Sequence, residues 1–216
     1  MNICRTDEAP SSTSFGRLRI EFSRSLLRPR PWTLAQSEWA ADLLDVVPEG
    51  PVLELCTGAG HIGLAAVATN GRRLVAVDIS PLAAEYAEGN ADAAGLSARV
   101  EVRCGDLDEV VRAGEEFPLV IADPPWVRSA AVTEHPEDPV LAIDGGSDGL
   151  ALARRCLGVA ERHLAPGGSV LLQLGTMEQA AALERTCPDA RLRMTEMRAF
   201  PGHGVLVRLD GPEAGS

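Results

Sequence analysis

Short apolar runs alternate with helical stretches from residue 51 onward, and this alternation constrains the fold more than any other feature. Each apolar run has four to six residues and most are followed by a segment of helical pattern. Strands of this kind are buried on both faces, so the repeat predicts a parallel sheet with helices on both sides, an α/β fold. We expect strands over residues 52–55, 74–77, 100–103, 119–122 and 169–174.

The last part of the chain breaks this alternation. Two apolar-rich runs, 192–197 and 205–209, are joined by Phe-Pro-Gly-His-Gly, which predicts an antiparallel hairpin at the edge of the sheet. The sheet is then seven-stranded and mostly parallel. The first helix is expected to begin at Thr33, where Thr-Leu-Ala-Gln resembles a capping box. The predicted helices cover 33–47, 61–69, 81–94, 149–164 and 177–186.

A chain of 216 residues with 45% hydrophobic residues is long enough for one domain with its own core. We predict an N-terminal arm over residues 1–30 that is partly flexible, a folded domain over 31–210 and a flexible tail over 211–216. The first residues include acids and no apolar segment, and no apolar run reaches the length of a membrane span, so we expect a cytoplasmic protein without membrane contact. Five scattered cysteines without a C-x-x-C pair predict neither a disulfide framework nor a metal site.

The formal net charge of −11 opposes sequence-independent binding to a phosphate backbone. We therefore favour a protein or small-molecule partner over nucleic acid, and we expect a monomer. The charge is uneven, because residues 1–33 hold six arginines and three acids. A basic arm of this kind fits an acidic partner or RNA, and it equally fits a segment that packs across an acidic domain.

A glycine-rich loop follows the first predicted strand. The segment reads Glu54-Leu-Cys-Thr57-Gly58-Ala-Gly60-His-Ile-Gly63, and its glycines allow a tight turn and a close approach of ligand to backbone at a helix N-terminus. Alone, G-x-G-x-x-G fits a nicotinamide or flavin enzyme equally well. A carboxylate directly before the loop adds nothing to a pyrophosphate site, whereas it suits a ligand with a cationic amino group.

Acidic residues follow the next two predicted strands. Asp78, followed by Ile79, ends the second strand, where an acid accepts hydrogen bonds from ribose hydroxyls. Gly105-Asp106-Leu107 follows the third strand and offers a carboxylate for an exocyclic adenine amine. Ligands of open α/β sheets bind beyond the carboxyl ends of the strands, so these acids are expected in one crevice.

The fourth predicted strand is followed by Asp123-Pro124-Pro125-Trp126, the most specific segment of the chain. Prolines after a core strand fix a rigid turn and expose a carbonyl that sheet pairing does not use. We expect this turn to aim the Asp and Trp side chains into the crevice.

In this order, the glycine loop and the acids resemble the class I S-adenosylmethionine-dependent methyltransferases of the amino-methylating type, which have a Rossmann-like fold. Two further segments are similar to the release-factor glutamine N5-methyltransferase (HemK/PrmC) family. These are Arg28-Pro-Arg-Pro-Trp-Thr33, which looks like the P-R-P-x-T segment of that family, and Leu141-Ala-Ile-Asp144-Gly-Gly-Ser-Asp148-Gly-Leu150.

The resemblance implies S-adenosyl-L-methionine as cofactor and transfer of a methyl group to a planar amide or amine nitrogen, foremost the glutamine side chain of a release-factor-like protein. The implied catalytic residues are Asp123, Pro124, Pro125 and Trp126. The implied cofactor-binding residues are Thr33, Glu54, Thr57, Gly58, Gly60, Gly63, Asp78, Ile79, Gly105, Asp106, Leu107 and Asp123. Asp123 and the Pro124 carbonyl would accept the two N–H bonds of the nitrogen, while Trp126 would stack on the acceptor and face the sulfonium.

The sequence departs from the family pattern at two points. The family tetrapeptide is usually N-P-P-Y, and only about 30 residues precede the first core helix, where bacterial members carry a helical domain that engages release factors. Two alternatives therefore stay open. One is methylation of an exocyclic base amine or a small metabolite, and the other is a nicotinamide-dependent oxidoreductase or dinucleotide-binding module.

Overall fold

The described residues form a seven-stranded sheet and a separate two-stranded hairpin. The computed structural model describes residues 10–186 and 191–212. The sheet has the strand order β5-β4-β3-β6-β7-β9-β8. The hairpin strands are β1 (Ser11–Phe15) and β2 (Leu18–Phe22), and those of the sheet are β3 (Val52–Leu55), β4 (Leu74–Asp78), β5 (Val100–Cys104), β6 (Phe117–Ala122), β7 (Leu164–Leu174), β8 (Arg193–Phe200) and β9 (Gly204–Asp210).

The pairing confirms the predicted sheet. Strands β3 to β7 pair in parallel, whereas β9 pairs antiparallel with both β7 and β8. The chain moves outward from β3 to β4 and β5 and then returns to place β6 on the other side of β3. The strand order therefore reverses between β3 and β6, the position at which such sheets form a crevice.

Helices cover both faces of the sheet. The helices are α1 (Leu34–Leu43), α2 (His61–Val67), α3 (Pro81–Ala93), α4 (Leu107–Val110), α5 (Val140–Ile143), α6 (Ala151–His163) and α7 (Met177–Thr186), and 3-10 turns lie at Pro31–Thr33, Ser97–Arg99 and Ser129–Glu134. Among the helices of residues 10–186 and 191–212, none combines the length and the apolar character that crossing a bilayer requires.

Two apolar clusters make up the core, one on each face of the sheet. Alternate residues of a strand supply them: Leu53 belongs to the cluster with α6 and α7, and Val52 to the cluster with α1 and α2. All four residues of β3 are buried, as expected for a central parallel strand. The helices thus fix β3 and β6 rigidly, and with them the loops that follow.

The predicted elements agree with the structure except at some ends. The segment predicted as helix 33–47 begins with the 3-10 turn Pro31–Thr33, and α1 ends at Leu43. The capping box is wrong, because the Thr33 side chain accepts no hydrogen bond from the backbone of α1, and its hydroxyl donates to the carbonyl of Arg30 at 2.8 Å. The same carbonyl also accepts from the Thr33 amide at 3.1 Å. Strand β7 begins five residues before its prediction.

The hairpin of β1 and β2 is absent from the sequence prediction. Its apolar side chains Phe15, Ile20 and Phe22 are buried in the cluster with α1 and α2. Asn90 of α3 binds the hairpin through the backbone of Glu21, accepting from its N–H at 2.8 Å and donating to its carbonyl at 2.9 Å. The same side chain donates to the carbonyl of Ala59 in the glycine loop at 2.9 Å.

Parts of the predicted arm and tail lie outside the described residues, namely residues 1–9 and 213–216. Two of the cysteines, Cys4 and Cys187, also lie outside them. Cys56, Cys104 and Cys156 are free thiols.

Candidate active site

A pocket of about 280 Å³ lies at the reversal of strand order, beyond the carboxyl ends of β3, β4, β5 and β6. The loops after all four strands contribute to its wall, as the sheet topology predicts. Nine of the predicted site residues line it: Thr57, Gly58, Asp78, Ile79, Gly105, Asp106, Leu107, Asp123 and Pro125. The predicted residues that do not line it are Thr33, Glu54, Gly60, Gly63, Pro124 and Trp126.

Glu54 lies behind the glycine loop. Its side chain is 2% exposed. One carboxylate oxygen accepts from the Gly63 amide at 2.8 Å, and the other accepts from the Thr57 hydroxyl. Burial raises the pKa of Glu54 to about 7, and the nearby charges of Asp123 and Asp78 add to the effect. Glu54 therefore joins the end of β3 to both the loop and the first turn of α2.

Three left-handed residues give the loop its shape. Gly58 and Gly60 have φ of 54° and 80°, and Cys56 has φ of 60°. A left-handed φ is uncommon outside glycine, and Cys56 is the one non-glycine case among the described residues. Its Sγ lies 3.9 Å from that of Cys156 on α6. The loop thus turns back over the end of β3 and presents Thr57 and Gly58 to the pocket.

Asp78 is fixed at the end of β4 by two backbone amides. One oxygen accepts from Gly58 at 2.8 Å and the other from Ser80 at 2.9 Å. Burial raises the pKa of Asp78, and these hydrogen bonds partly offset that effect. Ile79, 56% exposed, follows it at the pocket mouth. The carboxylate is therefore oriented before any ligand arrives.

Asp106 caps α4 and is bound by an arginine that no sequence motif singled out. Its side chain accepts from the Asp108 amide at 3.0 Å, and Arg155 of α6 donates to it at 2.5 Å. Arg155 also binds the Asp108 carboxylate at 2.7 Å and lines the pocket. No local sequence pattern could identify Arg155, because it follows Asp106 by 49 residues and lies on the helix across the loop.

Asp123 follows β6 directly and faces the pocket. Its carboxylate makes no hydrogen bond or ion pair with any residue in the described ranges. Burial raises the pKa of Asp123 to about 7. An unpaired carboxylate of this kind has its full hydrogen-bonding capacity available to a ligand.

Trp126 lies beside the pocket wall and not on it. A side chain at Gly175 would collide with the Trp126 ring, so the close packing of this ring requires glycine there. The Trp126 carbonyl accepts from Gln179 of α7 at 2.9 Å. The next residue, Val127, bridges to Asp144 of the segment 141–150. The structure thus places this segment as a support of the turn after β6.

The segment 28–33 before α1 contributes no residue to the pocket wall and contacts two other loops. Arg30 donates to both carboxylate oxygens of Asp138 at 2.6 Å, and Trp32 stacks on His203 with ring centroids 4.4 Å apart. His135, Glu137 and Asp138 have potential ligand atoms within 4.8 Å of one another. Because Asp138 is already paired with Arg30, we do not assign these three residues as a metal site.

Sequence reasoning assigned no site role to several parts of the wall, among them His61, Arg155, the residues 25–27 that follow the hairpin, and Pro139, Leu141 and Ala142 around α5. His61 lies within the glycine-rich segment 54–63, and this position is the sequence signal that could have identified it as a site residue. The other three come from segments distant in sequence, and only the tertiary fold brings them to the pocket.

Comparisons with known proteins agree with this geometry. A family model described as "Methyltransferase domain" matches residues 52–132. A release factor glutamine methyltransferase of Cereibacter sphaeroides is 34% identical over 202 residues, covering 91% of this chain and 70% of that protein. A second such protein, from Clostridium acetobutylicum, is 30% identical over 76% of this chain and 60% of its own length. A ribosomal protein uL3 glutamine methyltransferase of Francisella tularensis is 33% identical over 79% of this chain and 54% of its length.

The chain thus spans about 54–64% of the length of the first curated relatives it matches. Solved structures share the fold at lower identity. The catalytic domain of hMettl16 superposes with a TM-score of 0.73 at 16% identity, covering 92% of this chain and 76% of that one. A ribosomal protein L11 methylase of Lactobacillus delbrueckii superposes with a TM-score of 0.63 at 16% identity, covering 87% and 82%.

Proposed function

The chain belongs to the release factor glutamine methyltransferase family, and from this premise we propose that it transfers a methyl group from S-adenosylmethionine to the side-chain amide of a protein glutamine. One observation carries the proposal: the unpaired Asp123 carboxylate opens into the same pocket as Thr57, Asp78 and Asp106. A methyl acceptor held at Asp123 therefore lies next to the site expected for the cofactor.

The pocket residues fit the cofactor. Asp78 is oriented to accept from ribose hydroxyls, and Ile79 and Leu107 offer apolar surface to a purine. The backbone of Thr57 and Gly58 borders the end expected for the amino-acid part. When bound, S-adenosylmethionine supplies an electrophilic methyl group on a sulfonium sulfur. His61, whose buried Nδ1 has no hydrogen-bond partner, also lines this pocket.

Asp123 has the chemistry that an amide nitrogen needs. The lone pair of an amide is delocalised, so the nitrogen becomes a better nucleophile when its N–H bonds are held by strong acceptors. An ionised carboxylate is about twice as strong an acceptor as a neutral group. A pKa near 7, raised by burial, also suits Asp123 Oδ to take up the proton that the nitrogen loses.

A planar group with two N–H bonds can donate one of them to the Asp123 carboxylate, which lines the pocket. The family resemblance implies the Pro124 carbonyl as the second acceptor, and Pro124 follows Asp123 on the same turn without lining the pocket. The prolines after β6 keep this turn rigid, and the packing of Trp126 on Gly175 fixes its far end. Positioning of this kind supplies much of the rate of an in-line displacement, because the nitrogen must lie within about 3–3.5 Å of the methyl carbon. A glutamine side chain presents such a group on a flexible stem.

The test is a methyl-transfer assay with labelled S-adenosylmethionine. Recombinant release factors and ribosomal protein uL3 from one bacterium serve as acceptors, alongside total RNA and a metabolite fraction. We expect label in protein, on glutamine by tandem mass spectrometry, and none with an Asp123→Ala variant. Label confined to RNA or metabolites would replace the glutamine with an exocyclic amine as substrate. Tight binding of NAD without binding of S-adenosylhomocysteine would overturn the proposed function altogether.

A further inference from the structure

We propose that His61 is a cofactor-binding residue whose Nδ1 accepts a hydrogen bond from the α-ammonium group of S-adenosylmethionine. The identity of the ligand rests on the proposed function. His61 is the first residue of α2, its side chain is 9% exposed, and it lines the pocket beside Thr57 and Gly58.

The Nδ1 atom of His61 is buried and has no hydrogen-bond partner. Among the described residues, three buried side-chain polar atoms lack a hydrogen bond: Trp32 Nε1, Gln36 Oε1 and His61 Nδ1. Of these three residues, His61 is the one that lines the pocket. Buried polar atoms are almost always paired, so an exception in a pocket wall indicates a group that a ligand completes.

The surroundings of the ring determine which atoms carry protons. The Thr33 hydroxyl uses its single proton on the carbonyl of Arg30 at 2.8 Å. Towards His61 Nε2, 3.5 Å away, it therefore offers only lone pairs, which places the ring proton on Nε2. Burial lowers the pKa of His61 to about 4, so the ring is neutral at physiological pH. Nδ1 is then a hydrogen-bond acceptor.

The ring is also held in place from outside the loop. Phe15 of the hairpin meets His61 edge to face, with centroids 4.9 Å apart and planes at 89°. Thr33, predicted as a cofactor-binding residue, is buried and reaches the pocket only through His61. Thr33 and Phe15 are thus positioning residues that fix the direction of Nδ1.

A hydrogen-bond acceptor at Nδ1 of His61 pairs with an N–H donor of the ligand. Glu54, the acid next to the loop, does not line the pocket, and each of its oxygens accepts from the protein. His61 stands two residues before Gly63, whose amide binds Glu54, whereas Asp106 follows β5, two strands away. His61 therefore lies at the end of the pocket where the glycine loop would meet the amino-acid part of the cofactor, whose ammonium group has three N–H bonds.

The experiment compares two ligands on two variants by titration calorimetry. One ligand is S-adenosylhomocysteine and the other is its analogue without the α-amino group. His61→Phe keeps an aromatic ring against Phe15 and removes both nitrogens, while His61→Asn offers an acceptor oxygen near the position of Nδ1. We expect His61→Phe to weaken S-adenosylhomocysteine binding about tenfold and to leave the analogue unchanged, and His61→Asn to retain most of the affinity.

A readout on the unmodified protein accompanies this comparison. Two-bond nitrogen–proton NMR spectra report the protonation of His61, and we expect the Nδ1 signal to shift with S-adenosylhomocysteine and to stay in place with the analogue. Equal weakening of both ligands by His61→Phe, or an unmoved Nδ1 signal, overturns the role of His61. Failure of the wild-type protein to bind S-adenosylhomocysteine overturns the proposed function instead.

Discussion

The amide of Gly63 donates to the carboxylate of Glu54 at 2.8 Å, and a side chain at residue 63 would collide with that same carboxylate. Residue 63 of α2 thus binds Glu54 through its amide and, because it has no side chain, leaves space for the Glu54 carboxylate. The glycine that the motif shares with dinucleotide-binding proteins serves here to admit a buried acid, in addition to any close approach of the ligand.

Gly63→Ala tests this relationship. The new Cβ would lie 2.8 Å from Cδ of Glu54, and we expect a loss of about 1–3 kcal/mol in the free energy of unfolding, with weaker S-adenosylhomocysteine binding. The matched control is Gly89→Ala in α3, where a Cβ meets nothing within 4 Å. There we expect a gain of about 0.5–1 kcal/mol. Urea denaturation measures both, and a neutral Gly63→Ala would contradict the packing argument.

Asp123→Ala and Asp123→Asn separate acceptor geometry from charge. Alanine removes both oxygens, and we expect kcat to fall at least about 100-fold with little change in the Kd of S-adenosylhomocysteine. Asparagine keeps one acceptor oxygen and is the residue usual at the first position of the family tetrapeptide, so we expect it to retain more activity than alanine. Loss of cofactor binding in Asp123→Ala would mean that Asp123 holds the cofactor and not the acceptor.

Glu54 gives the protein a specific pH dependence of stability. Its pKa in the folded state is about 7, above the ordinary value of 4.5 that applies to the unfolded chain, so the folded state binds the extra proton between these pH values. The stabilisation is therefore complete below about pH 4.5 and is lost as the pH rises to about 7. Relative to Glu54→Gln, which does not titrate, the wild-type protein should lose about 3 kcal/mol over that range. A pH-independent difference in urea midpoints between the two proteins would refute this.

Arg155 and Arg162 offer a matched pair on α6. Both bind the Asp108 carboxylate, at 2.7 and 2.6 Å, but Arg155 alone of the two also binds Asp106 and lines the pocket. We expect Arg155→Met to weaken S-adenosylhomocysteine binding about threefold to tenfold, because Asp106 loses the group that orients it. Arg162→Met should leave the Kd unchanged. Both should alter stability by less than about 1 kcal/mol, since these pairs are exposed. Equal effects on affinity would show that Arg155 acts through the fold.

Much of the fold follows from the sequence because central parallel strands have a clear pattern. β3 and β6 are buried on both faces and are largely apolar runs, so the apolar pattern alone places their ends and the acids that follow them. Asp78, Asp106 and Asp123 were expected in one crevice for that reason, and all three line one pocket.

The residues that sequence reasoning misplaced depend on distant partners. Trp126 was expected in the crevice, but its ring packs on Gly175 and its carbonyl binds Gln179, 53 residues away. The hairpin was missed because β1 is polar up to Phe15 and so shows no apolar strand pattern, although β2 alternates apolar and polar residues. The hairpin is also bound by Asn90 of α3, 69 residues after Glu21. A pattern within a few residues cannot report contacts of this range.

Asn90 also has a consequence for how the protein unfolds. One buried amide group holds the backbone of Glu21 and the carbonyl of Ala59 at once, and Phe15 rests on His61. The hairpin and the glycine loop therefore belong to a single cooperative unit, although no motif residue lies before residue 28. A fragment that begins at residue 28 would retain every residue that identifies the family. Without the hairpin, however, its glycine loop would unfold independently of the rest of the domain.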